Sequence, residues 1–307
     1  FVCSLLGLTA SGGALSFANE LYGTPSVPMT FALVLPLLGS FGIIPIIIAI
    51  YFAGELVWRD RERGMNEIID STALPNWAYF VPKVVAVSLV LIATLCIAVL
   101  AAMLVQMARG YFTLELGKYF FWFVLPFSID MLMMAILAVF LQSLSPSKYV
   151  GWGLMAIYLV ASITLVSIGF EHPLYNFGET GFVRVSDMNG AELGGSKSWW
   201  LRLYWTGVCL IISVLSYLFW RRGVGISISS QMRRVPARFK GKPALVALLG
   251  LMISAVSGAW LFHQMNVINE YVTSDELEEK LADYEKAFLQ YEGIKQPSVV
   301  DVDLKVD

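Results

Sequence analysis

Residues 55–83 read ELVWRDRERGMNEIIDSTALPNWAYFVPK, and this stretch decides how the chain folds. It is the longest charged interruption in the first two-thirds of an otherwise apolar sequence. It interleaves Arg59, Arg61, Arg63 and Lys83 with Glu55, Asp60, Glu62, Glu67 and Asp70. Apolar runs long enough to cross a bilayer core, about 20 residues or more, flank it on both sides. The pattern predicts a water-facing loop between two membrane spans. Within it, residues 55–63 continue the preceding helix and Gly64 permits a turn. Residues 65–70 then form a short helix with Met65, Ile68 and Ile69 on one side. Pro75 and Pro82 set the return into the membrane. A short helix lying across the ends of two spans is a surface that a partner can push on. The same charge and amphipathy also suit a plain solvated loop, or a helix resting on lipid.

Composition supports a membrane location. The chain is 57% hydrophobic and 14% charged, with a mean hydropathy of +0.69; soluble domains carry roughly 25% charged residues. The expected fold is an all-α polytopic membrane protein, because backbone polar groups in lipid must be satisfied within helices. One truncated helix (1–17) precedes six full spans at 29–53, 80–107, 119–142, 149–169, 199–220 and 243–264. Pro36 and Pro45 should kink or break the first full span. Trp199, Trp200, Tyr204, Trp205 and Trp220 bracket the fifth as an interfacial belt. Cys3, Cys96 and Cys209 lie in apolar runs and read as buried thiols, not a disulfide framework. The chain opens in the middle of an apolar run and ends inside an alternating pattern, so it is expected to belong to something larger.

The Lys/Arg bias orients the spans. With 55–83 inside, the inside loops hold 12 bases and the outside loops 4. The net charge of −2 hides a further split: from Glu270 onward it is −7, and before it +5. A basic membrane unit therefore joins an acidic tail placed outside the cytoplasm. In that tail Leu277, Leu281, Tyr284, Phe288 and Tyr291 form one helical stripe. Thr273 with Glu276 reads as a capping box, and Gly293 as a stop. Beyond Pro297, the run 298–307 alternates with period two, predicting a strand whose partners lie elsewhere. The chain thus divides into a transmembrane unit (1–242), an added span (243–264), and a stalk leading to a β-rich domain (265–307).

At the loop the sequence resembles a family. Glu55, Arg59, Asp60 and Gly64 spell Glu-x-x-x-Arg-Asp-x-x-x-Gly after a proline-containing span, and Pro75 precedes the next. This is similar to the permease of type-2 ABC exporters. The resemblance implies that a separate ATPase subunit, carrying ATP and Mg, docks on Glu55, Arg59, Asp60, Arg63, Gly64, Met65, Glu67, Ile68, Ile69 and Pro75. It also implies a second permease half, identical or not. The extra span and the tail, with Asn266, Asn269, Tyr271, Tyr284, Glu285, Lys286 and Pro297, resemble the junction in bacterial proteins that fuse such a permease to a gluzincin-type zinc aminopeptidase. That places the chain in the bacterial inner membrane. Zinc is expected only in a peptidase domain beyond Asp307. The zinc motif H-E-x-x-H needs two histidines one helical turn apart. His172 and His263 do not form it, and the sequence has no phosphate loop, so no catalytic residue is assigned within the chain.

Two further features carry function readings. Asp130 is an acid in the middle of a span, either a substrate- or proton-handling group or a hydrogen-bonded helix contact. Arg221, Arg222, Arg233 and Arg234 belong to a basic segment that suits an anionic inner leaflet or the ATPase. Its tight linkage to two spans argues against nucleic acid. Besides an exporter permease, the sequence admits a membrane anchor for a protease, or a proton-coupled transporter using Asp130.

Overall fold

The protein is described from a computed structural model, covering residues 9, 12–13, 27–40, 44–72, 74–181, 183, 185, 188, 190, 192–220, 235–236, 238–294 and 301–303. Regular structure among them is helical. Helix α1 (Thr30–Ser40) meets α2 (Ile44–Glu62), followed by the short α3 (Asn66–Asp70). Four long helices come next: α4 (Trp77–Ala108), α5 (Leu116–Leu144), α6 (Lys148–Ser167) and α7 (Glu192–Phe219). Helix α8 (Lys242–Ile268) and the tail helix α9 (Ser274–Phe288) complete the series.

Five of these helices, α4 to α8, are long and apolar enough to cross a membrane, so this is a multi-pass helical membrane protein. The expected full span at 29–53 is instead two helices. α1 and α2 are inclined at 53° and together would make a sixth crossing. Pro45 sits at the break, in the first turn of α2, where its missing N–H costs nothing, whereas α1 continues through Pro36 to Ser40. Most of the truncated first helix, Cys3 included, falls outside the described residues. So do Arg221, Arg222, Arg233, Arg234 and most of the expected strand 298–307; residues 301–303 form no regular element.

The chain direction alternates through the bundle. One end collects the 55–76 loop, the α5–α6 turn and the start of α8; we call it the loop end. The other collects the α4–α5 and α6–α7 connections and the tail; we call it the tail end. Helix α5 is the hub, packing against α2, α4, α6 and α7. Small residues let the helices approach closely: Ala49 and Ala53 of α2, Ala98 of α4, Ala135 and Ala138 of α5 are fully buried. Leu91, Leu95, Phe123 and Met155 fill the spaces between them. Two predicted environments change. Cys96 is exposed, because an apolar helix in a bilayer turns one face to lipid; Cys209 is buried as expected. In the aromatic belt, Trp199 and Trp200 are exposed but Trp205 and Trp220 are buried against protein. The Trp205 indole donates to the Glu179 carbonyl at 3.1 Å, and Trp220 packs edge-on to Phe80.

The added span α8 joins the bundle through α7. Backbones touch there because both helices present glycine. A Cβ at Gly207 would lie 2.7 Å from the Ser254 nitrogen, and one at Gly250 would lie 2.7 Å from the Gly207 carbonyl oxygen. This is the small-residue contact that brings helices together where lipid tails compete equally for apolar surface. Toward the tail end the seam continues with Trp200 against Trp260, ring centres 5.9 Å apart. Gly250→Leu is therefore expected to push α8 off α7 and cost about 1–3 kcal/mol. Gly153→Leu, whose Cβ would meet nothing within 4 Å, should be neutral. Thermal unfolding in detergent, with cross-linking of cysteines placed at Trp200 and Trp260, measures both.

Candidate functional site

The loop residues come first. α2 runs without interruption out of the apolar core into the loop, so Glu55, Arg59 and Asp60 lie on a helix and not on free chain. Gly64 has φ +67, the left-handed conformation that glycine adopts freely, and it turns the chain into α3. α3 covers Asn66–Asp70, close to the predicted 65–70. Met65 (49% exposed) and Ile68 (70% exposed) face outward, whereas Ile69 is half-buried. The Ile69 carbonyl accepts hydrogen bonds from Tyr79 at 2.9 Å and Thr72 at 2.6 Å, which pin α3 to the start of α4. Arg59, Arg63, Glu67 and Pro75 are exposed.

Three acids of the loop, Glu55, Asp60 and Glu62, form ion pairs within the chain. Lys83 of α4 pairs with Asp60 at 3.0 Å. Lys148, the first residue of α6, pairs with Glu55 at 3.0 Å and Glu62 at 2.8 Å. Trp58 donates to the Gln142 side chain at 3.0 Å, while the Gln142 amide donates to the Lys148 carbonyl at 3.4 Å. Two glycines make room for this knot: a Cβ at Gly54 would overlap the Trp152 indole, and one at Gly151 the Gln142 amide. Thus α2, α4, α5 and α6 are tied together at the loop end. Lys83 lies within residues 55–83 and Lys148 at the α5–α6 turn, but only the fold shows which acids they meet. Arg61, also in the stretch, stacks over Trp58 at 5.2 Å.

Asp130 has a partner outside the expected site residues, Arg202. Arg202 of α7 donates to it through Nε at 3.0 Å and Nη2 at 2.8 Å, a two-pronged ion pair. Thr180 donates to Asp130 at 3.4 Å, and Arg202 also donates to Ser198 and Thr180. The signal for Arg202 was present: a charged residue within an apolar span, as at Asp130. A cavity of about 130 Å³ adjoins the pair, walled by Phe121, Trp122, Phe127 and Trp199.

A third cluster holds the tail. Glu171 accepts from the Ser274 hydroxyl at 2.7 Å and from its backbone N–H at 3.3 Å, at the first turn of α9. Thr273 and Glu276 form the predicted capping box on the same turn. His172 is buried; its Nε2 lies 2.9 Å from Asn266 Oδ1, and its ring meets Tyr271 edge-on. Burial, and secondarily the Glu171 charge, push the Tyr271 phenol above its ordinary range. His263, at the end of α8, is exposed and stands apart from this cluster. Among the described residues no group of three or more His, Cys, Asp or Glu is arranged to hold a metal.

No protein-family model, curated protein or solved structure matches the chain. Its site chemistry therefore rests on geometry alone. The clusters at Glu55–Lys148 and Glu171–Ser274 join elements at opposite ends of the bundle, and the Asp130–Arg202 pair joins α5 to α7.

Breaking a buried pair on one side leaves an uncompensated charge, at about 3–5 kcal/mol, whereas replacing both partners with apolar residues of similar size is often neutral. Asp130→Leu and Arg202→Met should each destabilise by that amount, and the double variant should recover most of it. A double-mutant cycle on thermal unfolding reads the coupling; additive losses would show that the pair does not hold α5 to α7.

Proposed function

We propose that the chain is the membrane-spanning half of an exporter driven by a separate ATPase, and that residues 55–83 receive the ATPase. The observation that carries this reading is the division of labour within the loop. Glu55, Asp60 and Glu62 are turned inward to Lys83 and Lys148, while Met65 and Ile68 stand exposed on a short helix. A plain solvated loop has no need to be clamped to two neighbouring spans while presenting apolar side chains to water. A docked subunit uses both features: the apolar side chains give it a foothold, and the clamps carry its displacement into α2, α4 and α6.

In this proposal ATP binding favours one arrangement of two permease halves through contacts that differ between the two states. The loop end is cytoplasmic, and the tail lies on the far side of a bacterial inner membrane. There α9 is a stalk toward a zinc aminopeptidase domain beyond Asp307, so a peptide is the favoured substrate class. The competing proton-coupled reading has less support. Asp130 already accepts both prongs of Arg202, and a proton relay would have to break that pair in each cycle.

The test is purification of the tagged full-length protein from its own membranes, followed by assay of co-purifying ATP hydrolysis. Changing Met65, Ile68 and Ile69 together to Asp should lower recovered ATPase activity by about tenfold or more, as loss of an apolar contact centre does. The permease itself should remain monodisperse. Equal ATPase recovery with the triple variant, or none with the wild type, would sink the reading.

A further inference from the structure

We propose that the groove between α4, α5, α7 and α8 binds an anionic phospholipid in the leaflet at the loop end. This inference rests on the membrane-spanning fold and is independent of the exporter reading. The groove has a volume of about 750 Å³, and each helix contributes to its wall: Val85 from α4, Leu132 from α5, Leu210 from α7 and Val246 from α8. Val85 (46%) and Leu132 (40%) remain exposed within it, so neighbouring side chains leave it open.

Three observations select the occupant. The first is depth. From Trp77 to Val85 on α4, and from Tyr217 to Leu210 on α7, the groove reaches about 10–12 Å along the helices at 1.5 Å per residue. One leaflet of a bilayer core, half of about 30 Å, is deep enough to hold it entirely. The second is charge. Lys240 and Lys242 line the groove where α8 begins, both are exposed, and neither forms an ion pair with a described residue. Two ammonium groups above an apolar slot complement a phosphate joined to acyl chains. The third is level. Trp77, 58% exposed, begins α4 beside the same opening, where amphipathic rings mark the headgroup region. The lipid phosphate would sit between the lysines, with one acyl chain lying along Val85 and Val246.

The site differs in kind from general attraction of a basic segment to a charged surface, because it demands the chain as well as the headgroup. Its test uses purified protein in detergent, exposed to equal amounts of phosphatidylglycerol and phosphatidylcholine with identical chains, with native mass spectrometry counting retained lipids. Wild type should retain the anionic lipid about 25-fold over the zwitterionic one, given roughly a factor of five for each of the two bases near the lipid. Lys240→Gln with Lys242→Gln should abolish the preference, and Val85→Trp should reduce retention of both lipids. Circular dichroism and gel filtration confirm that each variant is folded. Equal retention of the two lipids by wild type would overturn the proposal, as would a preference that survives loss of both lysines. So would displacement of the lipid by millimolar glycerol phosphate alone, which would mean a surface anion site. A Val85→Trp variant that changes oligomer mass but not lipid retention would identify the groove as a contact between copies, and would equally overturn it.

Discussion

The Asp130–Arg202 pair fixes how α5 and α7 sit, and much of the bundle follows from it. Two charges among apolar helices repay their desolvation only with close geometry and full hydrogen bonding. Both conditions hold: Arg202 meets the two carboxylate oxygens of Asp130 and also reaches Ser198 and Thr180. A slip of one residue along either helix, about 1.5 Å of rise with a rotation of about 100°, would break the fork. The register of α5 against α7 is therefore specified far more tightly than apolar packing could specify it. α5 carries α2, α4 and α6, and α7 carries α8, so the positions of both ends of the bundle descend from this register.

The same principle sets the other contacts that matter. Inside lipid, one apolar helix face is almost as good as another, and specificity passes to polar groups and small residues. At the tail end, buried Gln106 donates to the Pro28 carbonyl at 2.9 Å and accepts from Tyr119 at 3.0 Å, tying α4 and α5 to the chain leading into α1. At the loop end, Gln142 does the equivalent for α2 and α6. Between them the seam of α7 and α8 is set by Gly207 and Gly250. Polar knots at both ends with glycine contact along the flank make a bundle held at defined points.

What could be read from the sequence follows from how local each signal is. Spans declare themselves by run length, and the capping box of Thr273 and Glu276 by a spacing of three residues. The turn at Gly64 and the short helix after it were also local patterns, and they stand where expected. The break between α1 and α2 was announced by Pro45, whereas α1 runs through Pro36 unbroken. Pairings between distant helices were not legible. Nothing near Lys148 names Glu55 and Glu62 as its partners, and nothing near Asp130 names Arg202. Trp205 and Trp220 looked like interfacial residues because hydropathy does not distinguish a lipid-facing indole from a protein-facing one. Cys96 misled in the opposite direction, since an apolar neighbourhood in sequence can mean lipid and not protein core. The long-range pairings are the ones that build the candidate site, so the site was less legible than the fold.

The connection between the two ends runs through α6, the span with the least contact to the rest. Its first residue, Lys148, holds Glu55 and Glu62 of the loop helix. Its last turn leads through Gly169, in the left-handed conformation at φ +92, straight into Glu171 and His172, which hold the tail. Between these points α6 is one helix, about 30 Å long, with no proline to absorb a bend. Much of its surface is exposed, including Ile157, Val160 and Ile163, so few packing contacts must be remade when it shifts. A helix stiff along its axis, loosely packed on its flank and pinned at both tips transmits displacement in preference to dissipating it. Weak packing of α6 is then compatible with a mechanical role, because tight packing on all sides would hold it still against any push delivered at Lys148.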